Sequence, residues 1–104
     1  MSSQVALTIE RDGDERAARL IGELNLASYD QAMEEMSWAF GGEGDIEFDL
    51  SQLTFMDSTG VRLLIQIRNS LEGRGTLILS SPPPNVEKVL RLIGMEELGI
   101  QLRP

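Results

Sequence analysis

The sequence predicts an α/β domain of α+β character: a mixed four- to five-stranded β-sheet, opened by a hairpin and backed by about three helices. Three observations carry this. Two strand-like segments flank Asp12-Gly13, a dipeptide that favours a tight hairpin turn, so the chain opens with antiparallel strands. Helical apolar spacing then alternates with short apolar runs, the order expected of strands joined by crossover helices. Finally, 104 residues with 41% apolar and 25% charged content suit one core, so residues 1–104 are read as a single domain.

Taken in order, Val5-Ala6-Leu7-Thr8-Ile9 is a short strand and residues 10–15 a polar turn. Residues 17–24 return as the second strand, and Asn25-Leu26-Ala27 is a short connection. Ser28 with Gln31 three residues later makes a capping box, so a first helix is expected from Ser28 to Phe40. Its core stripe is Tyr29, Ala32, Met33, Met36 and Phe40, while Asp30, Glu34 and Glu35 face out. Gly41-Gly42-Glu43-Gly44 stops it. Residues 45–49 form the next strand, and a loop is expected from there to Asp57. Val61, Leu64, Ile65, Ile67 and Leu71 define a second helix over residues 59–71, with Arg62, Gln66, Asn69 and Ser70 outside. Thr76-Leu77-Ile78-Leu79-Ser80 is a buried strand, parallel to the one before it. After Pro82-Pro83-Pro84, Asn85 caps a third helix over residues 86–93, which Gly94 ends. Residues 100–102 suggest a last short strand. Three helices are too few to cover both faces of such a sheet, so one face is expected to stay partly open.

Composition excludes much chemistry. There is no cysteine, hence no disulfide and no thiolate metal site. There is no histidine, the commonest general base and metal ligand, so no imidazole-based triad exists and neither metal nor cofactor is called for. A net charge of −8 argues against nucleic acid and anionic lipid as partners. No apolar run is long enough for a membrane span, and Met1-Ser2-Ser3-Gln4 lacks the start of a signal peptide, so a cytoplasmic location is expected. Asp49 and Asp57 are the one conceivable carboxylate pair, placed at the same end of strand and loop, but each reads better as a solvated or capping group. Lys88, the single lysine, lies on a helix and not beside an aspartate at a strand end, which disfavours a phosphate-accepting aspartate.

The stretch from Phe48 to Val61 organises the rest. Asp57-Ser58-Thr59-Gly60 interrupts an apolar run and immediately precedes the second helix. Such a group accepts the orphan N–H bonds of a first turn, and it sets the Ser58 hydroxyl at the positive end of the helix dipole. Without histidine or a placed lysine, Ser58 has nothing to activate it as a nucleophile. Two compatible readings remain: a helix cap, or a hydroxyl that a kinase modifies.

At these residues the chain resembles the STAS domains, and among them the stand-alone anti-sigma factor antagonists. The resemblance rests on Asp49-Leu50-Ser51, Asp57-Ser58-Thr59-Gly60 and the helix that follows, with Ile21-Gly22-Glu23-Leu24-Asn25 and the run from Val86 through Gly94 to Leu98 agreeing in order. It covers nearly the whole chain. It implies a binding module and no enzyme. Ser58 would be the phosphorylation site of an anti-sigma factor serine kinase, with a serine phosphatase to reset it. The unphosphorylated form would bind the anti-sigma factor and release the sigma factor. Asn25, Asp57, Ser58, Thr59, Gly60 and Arg62 would form the partner-binding surface, although the family often has aspartate where Asn25 stands. A monomer or weak dimer is expected. The resemblance also admits a STAS subunit that regulates a transporter or a lipid-trafficking ATPase complex.

Overall fold

A computed structural model describes residues 6–11, 13 and 16–104. Five strands lie in the order β1 (Leu7–Arg11), β2 (Ala17–Leu24), β3 (Ile46–Met56), β4 (Leu77–Ser80) and β5 (Gln101–Arg103). β1 pairs antiparallel with β2, and every later pair is parallel. The expected opening hairpin and mixed sheet are therefore present. Val5, Asp12, Asp14 and Glu15 lie outside the described residues, and the first strand runs two residues further than expected, to Arg11. The crossovers contain α1 (Tyr29–Glu35), α2 (Ser58–Ser70) and α3 (Pro84–Ile93).

Alternation along the strands places the core on one face. Ala18, Leu20 and Leu24 of β2, Ile46, Phe48 and Leu50 of β3, and Leu77 and Leu79 of β4 are buried with Val61, Leu64, Ile67 and Leu90 of the helices. Phe48 meets Trp38 edge to face, with ring centroids 6.0 Å apart. The opposite face carries charge. Arg19 reaches Asp49 at 3.2 Å and Glu10 at 3.8 Å, and Arg103 reaches Glu47 at 3.6 Å. A sheet with helices on one side keeps its other face wet, as the helix count led one to expect.

The sequence reading fails at β3 for a definite reason. The expected loop between residues 50 and 56 is strand, so β3 is 11 residues long. Between Arg19↔Asp49 and Ile21↔Gln52, β2 advances two residues while β3 advances three; between Gly22↔Leu53 and Glu23↔Phe55 it advances one against two. Each shift is a bulge that adds a residue to β3. The buried positions Leu50, Leu53 and Met56 thus recur every third residue, and a strand with that spacing does not read as one. Asp49 holds the first bulge by accepting from the Ser51 N–H at 2.9 Å. Partial burial works to raise the Asp49 carboxyl, but the hydrogen bonds from Ser51 and the Arg19 guanidinium outweigh it and hold the group below its ordinary value.

The first helix also departs from expectation. It is not continuous from Ser28 to Phe40. A 3₁₀ turn (Leu26–Ser28) leads into α1, and a second one (Ser37–Ala39) follows it. The capping box is Asn25 with Ser28, not Ser28 with Gln31: Asn25 Oδ1 accepts from the Ser28 N–H, and Ser28 Oγ accepts from the Asn25 N–H, both at 3.1 Å. Gln31 instead donates to the Leu7 carbonyl at 2.7 Å, tying α1 to β1. α3 begins at Pro84 with Pro83 as its cap, and Asn85 donates across to the Thr54 carbonyl at 2.9 Å.

Two outcomes test this account. Gly22 has φ +106°, and a Cβ there would overlap the Ala6 carbonyl oxygen. Gly22→Ala is expected to cost on the order of 2–4 kcal/mol in urea unfolding, since strain and backbone overlap add. The lowered Asp49 value stabilises the fold above the ordinary carboxylate range, and this contribution is lost as pH falls through the folded-state value. Asp49→Asn should therefore flatten the acid limb of stability against pH, by less than about 1 kcal/mol because solvent screens the pair.

Candidate functional site

The carboxyl ends of β2 and β3 meet at the start of α2, and Asp57 joins them. Its Oδ1 accepts from the Thr59 N–H at 2.9 Å and the Gly60 N–H at 3.1 Å, which caps the helix. Its Oδ2 accepts from the Leu26 N–H at 3.2 Å, and its own N–H donates to the Leu24 carbonyl at 3.3 Å. One side chain thus fastens the turn after β2 to the first turn of α2. Contrary to the cap reading of Ser58, Asp57 is the N-cap, because its carboxylate reaches the Thr59 and Gly60 amides, and Ser58 is the first helical residue beyond it.

Ser58 is exposed, and its hydroxyl makes no hydrogen bond to any described residue. Its freedom follows from Asp57, which already satisfies the next two amides of the turn. Gly60 is buried. A Cβ there would stand 2.6 Å from the Leu24 carbonyl oxygen and 2.9 Å from Leu24 Cγ. Of the residues expected to offer surface, Gly60 instead lets α2 approach β2 closely enough for Asp57 to reach Leu26. Thr59 is half-buried beside it. Asn25 sits at the turn across from Ser58, with its oxygen engaged in the capping box and its Nδ2 donating to Glu23 at 3.1 Å.

Arg62 lies exposed one turn beyond Ser58. Its guanidinium stands 5.5 Å from the centre of the Tyr29 ring, and Tyr29 donates to Gln66 at 3.1 Å, so α1 and α2 share a polar seam behind the site. Two rim residues escaped the sequence reading: Leu26, 74% exposed, and Phe55, 46% exposed. Asn25 followed by Ser28 was a readable capping signal and would have marked Leu26 as the first residue of a fixed turn.

Asp49 and Asp57 do not converge. Their separation along β3 is on the order of 20 Å, beyond the reach of a carboxylate pair, and Asp57 has both oxygens on backbone amides. No group of acidic residues that could hold a metal ion occurs among the described residues, and none of the described helices is long and apolar enough to cross a membrane.

A mixed five-stranded sheet of this order, with three helices in its crossovers, is an arrangement that a known family shares. The STAS domain matches residues 6–103, and the chain belongs to that family. An anti-sigma F factor antagonist of Lysinibacillus sphaericus is 36% identical over 80 residues, which are 74% of this chain and 68% of that protein. The anti-sigma factor antagonist SpoIIAA in its unphosphorylated form superposes with a TM-score of 0.71 at 30% identity, over 93% of this chain and 87% of its own. A Thermotoga maritima protein described as an anti-sigma factor antagonist shares the fold, with a TM-score of 0.67 at 18% identity over 94% and 86% of the two chains. The two of these relatives at 30% identity or more both carry the name of anti-sigma factor antagonist.

Replacing the clamp should loosen both elements it joins. Asp57→Ala is expected to lower stability by about 1–2 kcal/mol, the usual range for a lost N-cap. Amide exchange at Leu26, Thr59 and Gly60 should rise selectively, while Asp57→Asn, which keeps an acceptor, should lose less of both.

Proposed function

We propose that this STAS domain is an anti-sigma factor antagonist of the bacterial cytoplasm, controlled by phosphorylation at Ser58. It works as a binding module, with no turnover of its own. The observation that carries the reading is the Ser58 hydroxyl, exposed and unbonded to any described residue, at the first residue of a helix whose next two amides are already capped. A kinase reaches such a hydroxyl without unfolding anything. The partner-binding surface is the rim built from Asn25, Asp57, Ser58 and Thr59, with Gly60 supporting it from beneath and Arg62 one turn along.

The chemistry of the switch follows from the cap. A phosphate adds about −1.5 to −2 charges. Because Asp57 holds the Thr59 and Gly60 amides, the new group gains little from them and projects outward beside an existing carboxylate. The fold keeps its hydrogen bonds, and the partner meets a bulky, doubly acidic helix end. The unphosphorylated form then holds the anti-sigma factor serine kinase and frees the sigma factor, and a serine phosphatase restores it.

The decisive experiment incubates the protein with an anti-sigma factor serine kinase and Mg·ATP. Wild type is expected to gain one phosphate and Ser58→Ala none; equal labelling of the two would overturn the reading. Ser58→Asp should weaken kinase binding at least 10-fold, about 1.4 kcal/mol, with the melting temperature nearly unchanged. A large drop in melting temperature would make Ser58 a structural residue.

A further inference from the structure

We infer that Arg62 is the internal receptor for the Ser58 phosphate, so that phosphorylation withdraws a cation from the docking rim as well as adding an anion to it. The inference rests on Ser58 as the modified residue, but not on which kinase modifies it.

The geometry is that of a helical i,i+4 pair. Residues so spaced lie on one face, with Cβ atoms roughly 5–6 Å apart, and both Ser58 and Arg62 are exposed. Among the described residues Arg62 makes no ion pair, and its one contact of this kind there is with the Tyr29 ring at 5.5 Å. An exposed cation–π contact of that length is weak. A guanidinium–phosphate pair is charge-assisted and bidentate, and it is the stronger claim on the same side chain. The competing donors are few. The Thr59 and Gly60 amides belong to Asp57, and only the Ser58 N–H remains as an orphan of the first turn.

The charged groups carried by the surrounding elements point the same way. Asp57 at the cap, Glu23 at the end of β2 and Asp30 in the first turn of α1 are all acidic. Each opposes a phosphate, and Arg62 is the cation one turn away that offsets them. In the unphosphorylated protein Arg62 lies over Tyr29 and is free to meet an acidic group on the partner. Once Ser58 carries phosphate, the guanidinium turns toward the helix N-terminus, leaves the ring, and is no longer offered outward.

The test places phosphoserine at position 58 during translation, so that no kinase is needed, and follows it by ³¹P NMR. In wild type the second ionisation should occur at lower pH than in Arg62→Gln, by about half a pH unit at low salt, and 0.5 M salt should remove most of the difference. Arg62→Lys should recover part of the shift as a point charge. Tyr29, the single tyrosine, should change its ring proton shifts on phosphorylation in wild type and not in Arg62→Gln. Coincident phosphate titrations in wild type and Arg62→Gln would overturn the inference, as would Tyr29 signals that ignore the phosphate in wild type. If the titrations differ but no anti-sigma kinase labels Ser58, the partner assignment fails and the Arg62 site stands.

Discussion

β3 is paired along its length with β2 on one side and with β4 at its start on the other, and the rest of the molecule hangs from that arrangement. Its inward side chains supply the centre of the core, and two of the crossover helices attach at its ends. The two bulges matter most. They give β3 two residues more than the stretch of β2 it spans, so the strands stay paired up to Leu24 and Met56. That brings the Leu24 carbonyl to the Asp57 N–H, and the start of α2 beside the turn after β2. Without the added residues, Asp57 would fall out of register with Leu26.

The site is consequently a product of backbone closeness more than of clustered side-chain chemistry. Gly60 removes the bulk that would separate α2 from β2, and Asp57 uses the space to bond amides on both sides. A carboxylate with three amide donors has both oxygens engaged in holding backbone, and the adjacent serine hydroxyl takes no part in the cap. The arrangement suits a surface that must be recognised in one state and refused in another while the fold beneath stays the same. In the proposed switch, charge added to Ser58 is met by Arg62, on the same helix face, and not by the helix amides, which Asp57 already holds.

Two of the local misreadings, at Gln31 and Asn85, share one cause: acceptors that only folding brings close. Ser28 and Gln31 have the spacing of a capping box, but Ser28 finds Asn25 and the Glu23 carbonyl, while Gln31 finds the edge of β1. Asn85 looks like a cap and instead ties α3 to Thr54 on β3. The helix stripes were easier, because burial on one face imposes a period that local chemistry does not disturb; Gly60 and Leu63 are the buried positions of α2 that the stripe omitted.

By itself the sequence determined the hairpin, the strand–helix alternation, the open sheet face, the glycine stop at Gly94 and the stretch Asp57-Ser58-Thr59-Gly60 as the place of interest. These follow from period, turn chemistry and missing residue types, all of them local. Tertiary structure decided that β3 runs to Met56, that Asp57 bridges two elements, that Gly60 faces inward, and that Arg62 rests on Tyr29. Each of those depends on a partner distant in the chain, and a bulge or an inter-element hydrogen bond leaves no periodic trace in the residues that make it.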